Sequence, residues 1–166
     1  GICVEKNSEL PVTDERRKFK YRVVFGGNNV VDQSWEAAVF QDLGSSPASM
    51  TAGKFIDFAS CLEGHSGEQA DAEQAYVQAT LGGTETWVTL PEDAWPKEWK
   101  GHCTCPVVRL TKALYGHPDS GGFWEKHCNN ILGKVGFEAV RDWPSLFHHR
   151  GLGLFLSVYV DDFKMS

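Results

Sequence analysis

The chain has 166 residues, of which 42% are hydrophobic and 23% charged, and its formal net charge is -6. This balance predicts a soluble globular protein of one domain, or a domain and a half, with a sizeable core. The sequence lacks the roughly 20-residue apolar run of a membrane helix and the pattern of a secretory signal. Its five irregularly spaced cysteines do not indicate a disulfide framework. We therefore expect an intracellular protein in a reducing compartment, with no membrane partner.

The segment from Lys18 to Phe25 alternates polar and apolar side chains and is rich in aromatic and β-branched types. This pattern predicts an edge strand that ends at Gly26-Gly27. The net charge alone has the wrong sign for a protein that binds nucleic acid, but cations crowd this region and form a possible basic strip. These cations are Arg16, Arg17, Lys18, Lys20 and Arg22.

The sequence from residue 33 to residue 83 predicts a loop, then a helix, and then a strand that continues into a second helix. Residues 33–49 lack a clear period and favour a loop, whereas Met50 to Leu62 carries apolar side chains at helical spacing. The run from Glu68 to Leu81 begins extended and becomes helical, with Gly82-Gly83 as its stop. We expect Asp71 to lie where the strand becomes the helix.

The middle of the chain predicts short strands around a tryptophan-rich loop, followed by a longer helix. Thr84 to Pro91 is typical of a strand that proline ends, and Cys105 to Gly116 is mostly extended. From Ser120 to Val135, apolar residues recur every four positions, which is the spacing of an amphipathic helix. The predicted stripe consists of Phe123, His127, Ile131 and Val135.

The last segment predicts a β-hairpin with two aspartates at its tip. Leu152 to Val160 is a strongly apolar strand, and Asp161-Asp162 precedes the start of a return strand. A polar turn is expected before this hairpin, at His148-His149-Arg150. Two adjacent carboxylates beside an apolar core repel each other, and a bound cation relieves that repulsion. Asp is also a favoured turn residue, so an isolated pair more often marks a turn than a metal site.

Three motifs, taken together, favour a metal site at this pair of aspartates over a simple turn. Tyr159-Val160-Asp161-Asp162 has an aromatic residue, any residue and two aspartates; Asp71 is followed five positions later by Tyr76; and Lys112 to Gly116 reads lysine-alanine-leucine-tyrosine-glycine. In this combination they resemble the reverse transcriptases of copia-type LTR retrotransposons, over about Lys18 to Ser166. The first motif is similar to the active-site hairpin of that family, and the second to its earlier palm aspartate and aromatic residue.

Two further sequence motifs of the copia group are present, with some departures. Gly136-Phe137 matches one of them, and Asp142 to Phe147 matches another except that Trp143 interrupts it. Directly after the lysine-alanine-leucine-tyrosine-glycine motif, His117 to Ser120 replaces the family's leucine, lysine, glutamine and alanine. Asp119 therefore stands where the family has a glutamine that is expected to contact the nucleotide.

The resemblance implies an α+β fold, namely a polymerase palm with an antiparallel sheet backed by helices and a partial fingers subdomain over 18–166. The matched portion is expected to be incomplete at its C-terminus and to lack the thumb, and 1–17 is expected to be an N-terminal extension. The implied activity is RNA-directed DNA synthesis from deoxynucleoside triphosphates on a primed RNA or DNA template. Other implied partners are the protease, integrase and ribonuclease H parts of a Pol polyprotein, in a cytoplasmic virus-like particle or the nucleus.

The implied chemistry is nucleotidyl transfer aided by two Mg²⁺ ions about 3.5–4 Å apart, for which Mn²⁺ is a possible substitute. Carboxylate oxygens are the hard ligands that magnesium prefers. The resemblance makes Asp71 and Asp161 the bridging ligands, with Asp162 in a supporting electrostatic role because neighbouring strand residues point in different directions. The residues implied to bind the nucleotide are Tyr76, which would exclude a 2′-hydroxyl, and Lys20 and Arg22, which would approach the triphosphate.

Two alternatives stay open at this point. The chain can be a degenerate or domesticated copy that keeps the palm fold and at most binds nucleic acid, which Asp119 and the acidic net charge favour. Tyr76 can be an ordinary core tyrosine. Without a thumb, even a chain with every ligand in place is expected to bind primed template weakly and to extend it poorly.

Overall fold

A computed structural model of the protein describes residues 1–40 and 44–166. This part of the chain is a mixed α and β structure with antiparallel sheets and few helices. The strands are β1 Ile2–Lys6, β2 Lys18–Arg22, β3 Glu68–Asp71, β4 Trp87–Thr89, β5 Val107–Arg109, β6 Glu138–Ala139, β7 Leu146–His149, β8 Leu154–Tyr159 and β9 Asp162–Met165. The α-helices are α1 Met50–Ser60, α2 Ala75–Gln78 and α3 Ser120–Lys134, and 3-10 turns cover Glu92–Ala94 and Lys97–Trp99. Among the helices described, none has the length and apolar character needed to cross a bilayer.

The largest sheet has five antiparallel strands in the order β3-β9-β8-β7-β6. Successive side chains of a strand point to opposite faces, so each strand supplies residues to both sides of the sheet. Phe147, Leu156 and Val158 pack on the side that α2 and α3 cover. Leu146 and Phe155 pack on the other side, against α1. The sheet therefore lies between two helical layers, and each layer has its own hydrophobic cluster.

Helix α1 begins at a capped N-terminus and buries one stripe on the sheet. The Ser49 hydroxyl accepts a hydrogen bond from the Ala52 backbone N–H at 3.1 Å, which satisfies one of the free donors of the first turn. Ile56 is fully buried, and the Phe55 ring meets Phe155 edge to face with centroids 4.9 Å apart. These contacts fix the position of α1 over the middle strands.

The sequence predicted this helix and the loop before it. The helix expected over Met50 to Leu62 is confirmed and ends at Ser60. The loop expected over 33–49 contains neither a helix nor a named strand in its described residues, and residues 41–43 of that prediction lie outside them. The periodic pattern was sufficient here because α1 has one buried and one exposed face.

Helix α3 forms where the sequence predicted a helix, but the predicted stripe is wrong. Phe123 packs at the edge of the core, but Ile131 and Val135 are 45% and 58% exposed, so the predicted stripe does not face the core along the helix. The buried residues of the helix are Ser120, Trp124, Cys128 and Leu132. Both series repeat every four positions, and the one containing Trp124 is selected because the large indole ring buries more apolar surface than the His127 imidazole.

Helix α2 is much shorter than the sequence predicted, because it ends at Gln78 instead of reaching Gly82-Gly83. Its first turn follows Gln74, whose φ of 52° is left-handed. Beyond the helix, Ala79 accepts a hydrogen bond from the Ala113 backbone N–H at 3.0 Å. Pairing with a distant segment therefore replaces the helical hydrogen bonds that local propensity favours.

The remaining strands differ from the sequence-based expectation at their ends. The polar turn predicted at His148-His149-Arg150 is wrong, because the two histidines belong to β7 and the turn begins at Arg150. The edge strand expected over Lys18 to Phe25 ends at Arg22. It pairs with β1, a strand that the sequence did not predict. A second small sheet pairs β4 with β5.

We predict that Ile56→Ala lowers the free energy of unfolding by about 2–5 kcal/mol, because it leaves a cavity between α1 and the sheet. The matched control is Phe58→Ala in the same helix, since Phe58 is 64% exposed. That change should cost about 0.5 kcal/mol or less. Urea unfolding followed by circular dichroism measures both, and equal losses would contradict the described position of α1.

Candidate active site

Asp71 and Asp162 lie opposite each other at one end of the five-stranded sheet, and Asp161 is in the adjoining turn. The register of β3 and β9 places Asp71 directly opposite Asp162, and β8 places Tyr159 on the other side of Asp162. Residues directly opposite each other in antiparallel strands share a face, so these three side chains lie on the same side. The Ala72 backbone N–H donates to the Asp161 carbonyl at 2.7 Å. Two distant chain segments are thereby joined at the acidic end.

The tip of the hairpin is shifted by one residue from the predicted one. Tyr159 pairs with Asp162, which leaves Val160 and Asp161 as the two-residue loop. Val160 has a φ of 58°, a conformation that is rare for a β-branched residue. Asp162 is therefore a strand residue with a fixed cross-strand partner, whereas Asp161 is presented by a strained turn.

An open cleft lies on the α1 side of this sheet end. Asp71 and Asp162 line it together with the cations Lys54 and Lys164. Lys164 forms an ion pair with Asp57 of α1 that bridges the helix and β9. Because Asp71 and Asp162 are exposed, water and ligands can reach them. The cleft can therefore accept a charged ligand beside paired carboxylates.

The carboxylates are available to a ligand. Asp71, Asp161 and Asp162 have no salt-bridge partner within residues 1–40 and 44–166. The same part of the chain contains no group of three or more histidine, cysteine, aspartate or glutamate side chains placed to hold a metal ion by themselves. Magnesium is usually held by one or two carboxylates together with water and substrate phosphates. The donors present fit that mode of binding.

Two tyrosine rings pack beside the acidic end. Tyr76 of α2 and Tyr115 meet edge to face with centroids 4.5 Å apart. Burial raises the pKa of both phenols, and the negative charge of Asp161 raises the pKa of each further. Asp71 also raises the pKa of Tyr115, whereas Arg22 lowers it. Both rings therefore stay neutral near pH 7 and lie within the electrostatic reach of Asp161.

The basic strand β2 is tied to this pair of rings. The Arg22 guanidinium lies 5.6 Å from the centre of the Tyr115 ring, and the Phe25 backbone N–H donates to the Tyr115 carbonyl at 2.7 Å. Gly116 has a φ of 89°, and a side chain there would collide with the Phe25 carbonyl. Lys20 shares the exposed face of β2 with Arg22, because strand residues two apart point the same way. The structure thus brings Arg22 to the site and leaves Lys20 further along the strand.

Two residues at the site have contacts that the sequence motifs do not reveal. Tyr115 belongs to the lysine-alanine-leucine-tyrosine-glycine motif, to which the sequence alone assigns no chemical role. Trp124 of α3 donates its indole N–H to the Val160 carbonyl at 2.7 Å. The four-residue repeat of Trp124, Cys128 and Leu132 was the signal that could have identified its buried face.

Comparison with the models of known protein families finds none that matches this chain, and no solved structure matches it significantly.

The segment that departs from the copia pattern is packed inside the protein. The His117 Nδ1 accepts a hydrogen bond from the Asp119 backbone N–H at 3.2 Å, and its Nε2 lies 3.2 Å from the Thr86 hydroxyl. Phe25 and Phe40 place their rings against the imidazole, with centroids 5.0 and 5.2 Å away. Burial lowers the pKa of His117, although the Asp119 charge partly opposes that shift. The histidine is therefore held in its neutral form.

We predict that stability falls as the pH drops below about 6.5, the usual pKa of histidine, because the unfolded chain then binds a proton that folded His117 resists. The loss stops once the pH has fallen below the folded pKa. Urea unfolding between roughly pH 7.5 and 5.5 measures it. His117→Gln should reduce the slope, whereas His65→Gln, at an exposed position, should keep it. Equal slopes in the two variants would refute the role of His117.

Proposed function

We propose that this chain is an RNA-directed DNA polymerase of the copia-type retrotransposon kind, built on a polymerase palm, which joins deoxynucleotides by two-metal nucleotidyl transfer. The observation that supports this most is the register that sets Asp71 opposite Asp162, together with the hydrogen bond from Ala72 to the carbonyl of Asp161. Carboxylates from separate strands that meet at an accessible sheet end are what a phosphoryl-transfer site requires. The motifs around them have the order and spacing of the family that they resemble.

The acidic end supplies the ligands for magnesium. Asp71, Asp161 and Asp162 would hold the ions, with water and the nucleotide phosphates as the remaining ligands. Held by these carboxylates, the ions would lower the pKa of the attacking primer hydroxyl and would stabilise the charge of the leaving group. The protein itself holds the carboxylates in place through the β3-β9-β8 register, and Lys164 of the same cleft is paired with Asp57 of α1.

The aromatic and basic residues would position the nucleotide. Tyr76 lies next to the acidic end, and its ring would limit the space beside the 2′ carbon of the sugar. Tyr115 packs against that ring and prevents it from moving away. Arg22 is held near Tyr115, where its fixed charge would attract the triphosphate. Lys20 would extend the same positive face along β2.

A noncatalytic, nucleic-acid-binding remnant is the second candidate, and one observation favours it. Asp119 occupies the place of the family's glutamine, it is only 8% exposed, and its Oδ1 has no hydrogen-bond partner in the described part of the chain. A buried carboxylate without a partner is costly, and it cannot supply the amide donor of a glutamine. The next test separates the two candidates.

We predict that Asp161→Asn lowers nucleotide addition to a primed template by roughly 100-fold or more, because a metal ligand is lost while side-chain size is kept. Single-nucleotide addition with Mg²⁺ or Mn²⁺, at excess protein and low salt, measures this. The control is Glu73→Gln, which removes a nearby exposed carboxylate and should leave the rate unchanged. Near-normal addition by Asp161→Asn would contradict the polymerase proposal, and no addition by the unaltered chain under any condition would favour the remnant.

We predict that Tyr76→Ala raises ribonucleotide incorporation relative to deoxynucleotide incorporation by roughly tenfold or more, because space opens beside the 2′ carbon. Competition between labelled ribo- and deoxynucleoside triphosphates measures the ratio. Tyr21→Ala serves as the control, since Tyr21 is 60% exposed on β2. An unchanged ratio of ribonucleotide to deoxynucleotide incorporation in Tyr76→Ala would show that this tyrosine has only a structural role in the core.

A further inference from the structure

The turn that presents Asp161 is held in a strained conformation. Val160 adopts a φ of 58°, which crowds its branched side chain against the backbone. Such a conformation persists only where the surrounding structure imposes it. A two-residue hairpin loop favours positive φ at its first residue, because its twist then matches that of the strands, so the hairpin itself favours this conformation at Val160. The branched side chain of Val160 resists it, and contacts from outside the hairpin help to hold the turn.

Both carbonyls of this two-residue loop are anchored by other parts of the chain. The Ala72 backbone N–H donates to the Asp161 carbonyl at 2.7 Å, which ties the turn to the strand that carries Asp71. The Trp124 indole N–H donates to the Val160 carbonyl, also at 2.7 Å. With both carbonyls held, the peptide group between Val160 and Asp161 has one orientation. The Cα–Cβ bond of Asp161, from which the side chain extends, is therefore fixed as well.

Trp124 is a rigid donor. It is only 6% exposed and belongs to the hydrophobic cluster that includes Cys128, Leu132 and Val158. Close packing holds a buried indole in a single rotamer, so its N–H points in a fixed direction. A small cavity of about 20 Å³ lies beside the ring and is lined by Tyr76, Trp124, Val158 and Val160 among others. Apolar packing around the turn is therefore incomplete, and the indole hydrogen bond is a specific restraint on the Val160 peptide.

We propose that Trp124 is a positioning residue for the polymerase reaction, because its indole N–H sets the orientation of the Val160 peptide and thereby of Asp161. This inference rests on the proposed function and identifies the part of the fold that aims one of its metal ligands. This role requires no contact between Trp124 and substrate or metal. Trp124 acts through the turn, and its loss affects the chemical step more than nucleotide binding.

The chain contains a matched control for this hydrogen bond. Trp95 donates its indole N–H to the Leu90 carbonyl at 2.8 Å, in the loop between β4 and β5 and away from the aspartates. Trp124→Phe and Trp95→Phe each remove one indole hydrogen bond to a backbone carbonyl and keep an aromatic ring. A general loss of stability affects both variants, whereas a loss of positioning affects only the first.

In single-nucleotide addition, Trp124→Phe should lower kcat by about 10- to 100-fold, since a small misplacement of a reacting group has an effect of that size. The KM for the deoxynucleotide should change by less than about threefold, because uniform binding is retained. Trp95→Phe should match the unaltered chain in both. If Trp124→Phe fails to fold, benzothienylalanine at position 124 keeps the shape of indole and lacks the N–H, and it should lower kcat in the same way. An unchanged kcat with either replacement overturns the proposal.

Binding of Mn²⁺ to the 166-residue chain, followed by electron paramagnetic resonance, separates this inference from the proposed function. Asp161→Asn should abolish the strongest Mn²⁺ binding, Trp124→Phe should weaken it severalfold, and Trp95→Phe should leave it unchanged. If Asp161→Asn binds Mn²⁺ and adds nucleotides normally, the proposed function fails. If Asp161→Asn is defective while Trp124→Phe is unaltered in both kcat and Mn²⁺ affinity, only the positioning role fails.

Discussion

The antiparallel register of β3, β9 and β8 is the constraint on which the site depends. β9 is the middle strand of the three, so Asp162 has Asp71 on one side and Tyr159 on the other. A slip of one residue moves every side chain of a strand to the opposite face of the sheet. It would separate Asp71 from Asp162 and also expose Phe163, which packs in the cluster under α3. Burial of the apolar residues of β9 therefore keeps the carboxylates aligned.

The two faces of the sheet contribute differently to the site. On one face, α1 covers the middle strands and leaves an open cleft at the end where Asp71 and Asp162 lie. On the other face, α3 packs against β8 and reaches the turn through Trp124. The exposed cleft keeps the carboxylates hydrated, which limits the cost of gathering like charges. The buried face supplies the rigidity that an exposed turn lacks.

The basic ribbon of β1 and β2 shows how an acidic chain can still offer a cationic surface. The register puts Lys6, Lys18, Lys20 and Arg22 on one face of this ribbon. The ribbon is attached near the aspartates through the hydrogen bond between Phe25 and Tyr115 and by the absence of a side chain at Gly116. The positive and negative surfaces are thus held beside each other, and under the proposed function they serve the phosphates and the metal ions respectively.

The local sequence pattern was sufficient to predict the elements whose secondary structure does not change when they pack. The sequence predicted α1, α3 and the β8-β9 hairpin, because each has a clear period and a recognisable end. Its motifs also singled out Asp71, Asp161, Asp162 and Tyr76, and the fold brings these residues to one end of the sheet. Short motifs with fixed spacing carried that information.

Other features depended on contacts between segments that are far apart in the chain. Helix α2 stops after one turn because Ala79 pairs with Ala113, and β1 forms because β2 is available as a partner. The buried stripe of α3 contains Trp124 instead of Phe123, since the sheet and the turn select which side of the helix is covered. Composition and motifs thus determined which residues are candidates for the proposed chemistry, whereas the tertiary structure decided their mutual register and what supports Asp161. The physical reason is that periodicity specifies the faces of each element, and only long-range packing and hydrogen bonding specify which faces meet.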